Sequence, residues 1–236
     1  MVSNMNNLPK EVFIVGGGSS LKLANFEHLA LTISSKFTIT CNYSFKHFSS
    51  TFLAFTDRDF YKPRPDVNNP DIYEDLKQLP LIIGINDNGM EEFKLDNTIL
   101  LDKKYREVLT GMFALKLAEE LIESGTVFLL GFDWNKRIGL PERDPNYNPK
   151  SDVQTHYYND IKHRGIGYVG YYENHNPDKI FSKFIKKDVK IYNVSLESNI
   201  GCFEKINYEQ MFNLLNKEEV NQEELRNRIR LFYNKT

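Results

Sequence analysis

The sequence predicts an α/β, Rossmann-like fold: a mostly parallel sheet flanked by helices. Three observations carry that expectation. Short β-branched or aromatic runs alternate with helical patterns along the chain, a long amphipathic pattern (REVLTGMFALKLAEELIESG) leads directly into a strand (TVFLLG), and the first strand runs straight into glycines and serines (VFIVGGGSS). With 236 residues, 41% of them hydrophobic, the chain can bury one substantial core, so a single domain over residues 1–236 is expected.

The predicted strands are Glu11 to Gly16, Lys36 to Cys41, Thr51 to Thr56, Leu79 to Ile85, Thr98 to Leu101, Thr126 to Gly131 and Val189 to Val194. The clearest helix carries Val108, Met112, Leu115, Leu117, Ala118, Leu121 and Ile122 as a broad apolar face, with Gly125 as its expected stop. Another opens at Asn176-Pro177-Asp178, where Asn176 suits the N-cap and Pro177 the first turn. The tail from residue 217 to 236 reads as a charged helix with sparse apolar positions, placed either on the surface or against a partner chain such as a second copy. Between 135 and 175 the periodicity fails in a stretch rich in proline, glycine and tyrosine. A loop of that length in a compact domain is functional or disordered, and its aromatic content favours a lid or substrate-binding insertion.

Composition excludes several classes. Lys and Arg total 30 against 32 for Asp and Glu, so no global basic field exists to drive nonspecific nucleic-acid binding. Cys41 and Cys202 form no CxxC pair, which argues against a disulfide framework and a thiolate metal site and suits a reducing cytoplasm. The apolar run near the N-terminus is too short for a signal-peptide core, and none is long enough to span a bilayer.

Several constellations can carry chemistry. Gly16, Gly17, Gly18, Ser19 and Ser20 have the parts of a phosphate or nucleotide cradle, in which backbone N–H groups approach an anion and hydroxyls add donors. The stretch lacks a P-loop lysine and does not match GxGxxG, so a tight strand-to-helix turn without ligand fits equally. Asp57-Arg58-Asp59 has the spacing of an Asp-x-Asp metal clamp, and Asp57, at a strand's C-terminal end, is the stronger of the two acids. Asp133 and Trp134 close another strand. They suit a ribose or metal contact and a stacking ring, or alternatively a turn-capping acid and a ring covering the core edge. His28, His47, His156, His163 and His175 are the available bases near neutral pH, the last three lying in or beside the aromatic loop.

Taken together, GGGSSL, TCNYSF, LAFTD, LTGMFALKLAEELIESGTVFLLGFDW and NHNPDKIFSKFIKKDVKIYNVSLESNI resemble, in order and spacing, the bacterial lipooligosaccharide sialyltransferases. They equally resemble related phage and archaeal Rossmann-type proteins that include 6-hydroxymethylpterin diphosphokinases. The resemblance implies that Gly16 to Ser20 match a Gly-Asn-Gly-Pro-Ser loop around the nucleotide, with Gly17 in place of Asn and Ser19 in place of Pro. It also implies nucleotide contacts at Asn42, at Asp57 where the family has Asn, and at Thr110 and Gly111 where it has Ser-Gly. His175, two residues off the family spacing, matches the general base, while Asn135 stands where a phosphate-stabilising Tyr is found. Tyr157, Tyr158, Tyr171 and Tyr172 are candidates to replace it.

The expected function is therefore a glycosyltransferase that binds a nucleotide or nucleotide sugar at Gly16 to Ser20, Asn42, Asp57, Thr110, Gly111, Asp133 and Trp134. His175, and next His156, would deprotonate an acceptor hydroxyl, and no cofactor or metal site is required. The alternatives are a Mg²⁺-dependent diphosphokinase with Asp57 and Asp133 on the metal, and a nucleotide-binding protein without catalysis.

Overall fold

The computed structural model describes residues 8–57, 60, 72–87, 90–134 and 175–234. All strands of the described residues lie in one sheet: β1 (Glu11–Val15), β2 (Phe37–Cys41), β3 (Phe52–Phe55), β4 (Ile82–Ile85), β5 (Thr98–Leu101), β6 (Gly125–Leu130), β7 (Val189–Asn193) and β8 (Glu204–Lys205). Every pairing is parallel, in the order β5-β4-β3-β2-β1-β6-β7-β8. From β1 the chain therefore builds outward to β5, crosses back over the sheet, and continues on the other side of β1. The topology reverses between β1 and β6, and in open α/β sheets that switch point, at the strands' C-terminal ends, is where ligands bind.

Helices cover both faces because the strands are apolar on both. Val12 and Ile14 of β1 face one cluster, which includes Met112, Phe113 and Leu117 of α3 (Thr110–Leu121), Phe181 of α4 (Pro177–Phe181), and Leu225 and Ile229 of α6 (Gln222–Tyr233). Phe13 and Val15 face the other, with Leu29 and Ile33 of α1 (Phe26–Ser34), Leu76 of α2 (Ile72–Lys77) and Met211 of α5 (Tyr208–Leu214). Period-2 alternation with both sets buried is what a central parallel strand requires.

Four expectations need adjustment. The long helix starts at Thr110 with Leu109 at its N-cap, leaving Val108 outside it and half exposed, and it ends at Leu121. Gly125 does not stop that helix. It opens β6 with φ +141, where an added Cβ would meet the Lys10 carbonyl oxygen. β8 was not foreseen: two residues, with no apolar alternation to mark them, pair with Tyr192 and Asn193. The C-terminal helix occupies Gln222–Tyr233 within the expected 217–236, and its few apolar residues recur every fourth position, so Leu225, Ile229 and Tyr233 are buried in this chain's own core. Polar clamps reinforce that packing: Arg226 donates to the carbonyls of Thr51 and Ser50, and Gln222 to those of Lys36 and Ser34. Asn176 caps α4 with Pro177 in the first turn, as the sequence predicts. The expected 135–175 insertion lies outside the described residues up to 174.

Candidate functional site

The loops leaving β1 and β6 are laced together at the switch point. Gly16 N–H donates to the Leu130 carbonyl at 2.8 Å and Gly18 N–H to the Gly131 carbonyl at 2.9 Å. The Asp133 carboxylate closes the turn, accepting the Ser20 N–H at 2.8 Å, the Ser20 hydroxyl, and the Ser19 hydroxyl at 3.4 Å. This approach explains two of the glycines. A Cβ on Gly18 would sit 2.5 Å from Asp133 Oδ2, and one on Gly16 would sit 2.7 Å from the Gly131 oxygen, closer than nonbonded atoms tolerate. At these positions the missing side chains make room for the β6 loop. The chain then enters a 3₁₀ turn at Ser19–Leu23 before α1 begins.

Beside this turn, three predicted or neighbouring polar residues from separate segments converge. Asn42, the first residue after β2, adopts a left-handed conformation at φ 49, which asparagine tolerates better than most side chains. Its Oδ1 accepts the Thr110 hydroxyl at 3.2 Å, and Thr110 Oγ1 lies 3.0 Å from Thr56 Oγ1 at the end of β3. Ser44, in the same turn as Asn42, donates its hydroxyl to the Gly16 carbonyl at 2.6 Å. Asn42, Thr56 and the first turn of α3 are thus fixed against the glycine loop. Leu109, the N-cap residue of α3, makes no side-chain capping hydrogen bond, and the first N–H groups of the helix carry the positive end of its dipole. Gly111 lies against the Phe132 ring, and Asp57 presents an exposed carboxylate just past Thr56.

Trp134 also has a left-handed backbone, at φ 48, an outlier for a bulky residue and costing about 1–2 kcal/mol. The surroundings hold it there. Asn199 donates its N–H to the Asp133 carbonyl and its side-chain amide to the Trp134 carbonyl, while Ser198 and Asn193 both donate to the Phe132 carbonyl. The indole is buried against Phe181 of α4, with centroids 5.9 Å apart, in the manner of a ring that covers the core edge.

His175 is exposed immediately before α4. That helix is tied to the β6 loop through Phe181 and through Asp178, whose carboxylate accepts the N–H groups of Gly201 and Cys202 just past Asn199. His156, His163, Asp59, Asn135 and the four loop tyrosines lie outside the described residues. His28 lies in α1 and His47 ends the turn after Asn42, neither of them among the hydrogen bonds described at the Asp133 turn. Burial pushes the Cys202 thiol up to about 11 and Cys41 higher still, so neither is a thiolate near neutral pH. Among the described residues no group of three or more His, Cys, Asp or Glu is arranged to hold a metal ion, and no helix is long and apolar enough to cross a membrane.

Sequence reasoning missed Thr56, Ser44 and Tyr208. Tyr208 opens α5, whose capping box pairs Asn207 with Gln210, and the Asn-x-x-Gln spacing signals that helix start. Burial first, and the Asp133 charge second, hold the Tyr208 phenol above its ordinary pKa. The fold and site together define an α/β Rossmann-like protein with polar side chains gathered at its switch point. No protein-family model, curated protein or solved structure matches the chain.

Proposed function

We propose that this chain is a nucleotide-sugar-dependent transferase that holds its donor at the C-terminal edge of the sheet and moves the sugar to an acceptor hydroxyl. The observation that carries this reading is the hydrogen-bonded set Asn42–Thr110–Thr56 at the start of α3, where the N-cap Leu109 makes no side-chain cap, next to the glycine loop. A helix start beside fixed amide and hydroxyl groups suits a phosphorylated ligand. His175 removes the acceptor proton, the acceptor oxygen attacks the anomeric carbon, and the bond to phosphate breaks with its electron pair leaving on the nucleotide. Support for His175 is its position ahead of α4, the helix packed against the β6 loop. The diphosphokinase reading is less well supported, because one of its two metal ligands, Asp133, directs its carboxylate to Ser19 and Ser20.

Incubation with cytidine- and uridine-activated sugars and a mixed glycan acceptor, followed by mass spectrometry, tests this. A sugar-sized mass increase on the acceptor, abolished in His175→Ala, is expected. Transfer at the wild-type rate by His175→Ala would remove the base assignment. Turnover of ATP with a pterin in place of any transfer would replace the reading with the diphosphokinase one.

A further inference from the structure

The Tyr208 hydroxyl is buried and has no hydrogen-bond partner among the described residues. Its position is well determined. The Ile206 N–H donates to the Asn193 carbonyl at 3.0 Å, Asn193 in turn donates to the Phe132 carbonyl, and the Asn207–Gln210 capping box fixes the first turn of α5. The ring packs against the apolar cluster that holds Val15 and Leu21, and Leu21 directly follows Ser20. A buried hydroxyl without a partner is a net cost to the fold, and phenylalanine would fill the same space without it. The described residues therefore give no reason for the oxygen. A ligand does.

We infer that Tyr208 is a ligand-positioning residue, its hydroxyl donating to a hydroxyl oxygen of the sugar in a bound nucleotide or nucleotide sugar; this rests on the function proposed above. The Asp133 carboxylate, whose charge acts on the Tyr208 phenol, decides the ligand chemistry. A phosphate beside that negative charge is disfavoured, whereas a sugar hydroxyl both accepts from a phenol and donates to a carboxylate. The raised phenol pKa agrees, since it keeps the O–H protonated as a donor. The ligand would then lie with its sugar toward α5 and its phosphate toward the start of α3.

The test compares wild type with Tyr208→Phe by thermal shift and calorimetric titration against cytidine monophosphate, uridine diphosphate, CMP-sialic acid and UDP-glucose. Without ligand, Tyr208→Phe is expected to melt at the wild-type temperature or above. For the probe that wild type binds, it is expected to lose about 5- to 10-fold in affinity, the size of one hydrogen bond. A loss shared by bare nucleotide and nucleotide sugar assigns the contact to the ribose, and a loss confined to the nucleotide sugar assigns it to the transferred sugar. Equal binding by both proteins, or a Tyr208→Phe protein that melts several degrees lower without ligand, overturns the inference while leaving the transferase reading in place. No binding of any probe by wild type overturns the nucleotide-site reading and this inference with it.

Discussion

Asp133 turns both carboxylate oxygens onto Ser20, Oδ2 accepting its backbone N–H at 2.8 Å and Oδ1 its hydroxyl. That contact joins residues far apart in sequence and locks the β1 loop to the β6 loop at the switch point. Asp133→Asn removes the charge from these hydrogen bonds and leaves one acceptor oxygen where there were two, so it is expected to destabilise the chain by about 2 kcal/mol. A urea unfolding midpoint unchanged from wild type would show the contact to be unimportant for stability.

Gly18→Ala tests the same turn from the other side. The added Cβ would sit 2.5 Å from Asp133 Oδ2 and 2.6 Å from the Gly131 oxygen, neither of which is the free end of a flexible side chain. A loss of roughly 1–3 kcal/mol in unfolding free energy is expected, as for other overpacked sites. A fully stable Gly18→Ala protein would mean the loops separate readily.

Glu119 and Glu120, in the last turns of α3, have carboxyl groups held above the usual glutamate range, by burial first. Lys186 opposes this at Glu119, and Lys116 at Glu120, without cancelling it. The folded chain therefore binds these protons more tightly than the unfolded chain. Their contribution to stability is fully present below the ordinary glutamate value and is lost as pH rises through the raised folded values. Denaturation at stepped pH is expected to show that downward slope in wild type and a flatter one in Glu119→Gln/Glu120→Gln. Identical slopes would refute the assignment.

Ile229 of α6 is buried beside Leu225, so Ile229→Ala is expected to cost about 3 kcal/mol, independent of protein concentration. A concentration-dependent midpoint would instead return the helix to a partner chain.

Much of the fold was legible because its signals are local. The apolar runs from Val12 to Val15 and from Val127 to Leu130 are too short and too continuous for anything but buried strands, and Asn176-Pro177 states a helix start outright. β8 was illegible because two residues, Glu204 and Lys205, carry no period. The end of α3 was misread because Gly125 resembles a helix stop, while its actual reason is the Lys10 carbonyl against which it packs. The site was legible only as a set of residue types at strand ends. That Asp133 faces Ser20 and that Thr110 joins Asn42 to Thr56 are contacts across long sequence separations, which no local pattern encodes.

In the proposed transferase the Asn42–Thr110–Thr56 set anchors a nucleotide. Calorimetric titration of wild type and Thr110→Val with cytidine monophosphate, uridine diphosphate, ATP, CMP-sialic acid and UDP-glucose, each with and without Mg²⁺, tests it most directly. Saturable binding of at least one of these by wild type is expected, with about tenfold weaker binding by Thr110→Val, the loss of one well-placed hydrogen bond. Binding of none of them by wild type, or equal binding by both proteins, would contradict it.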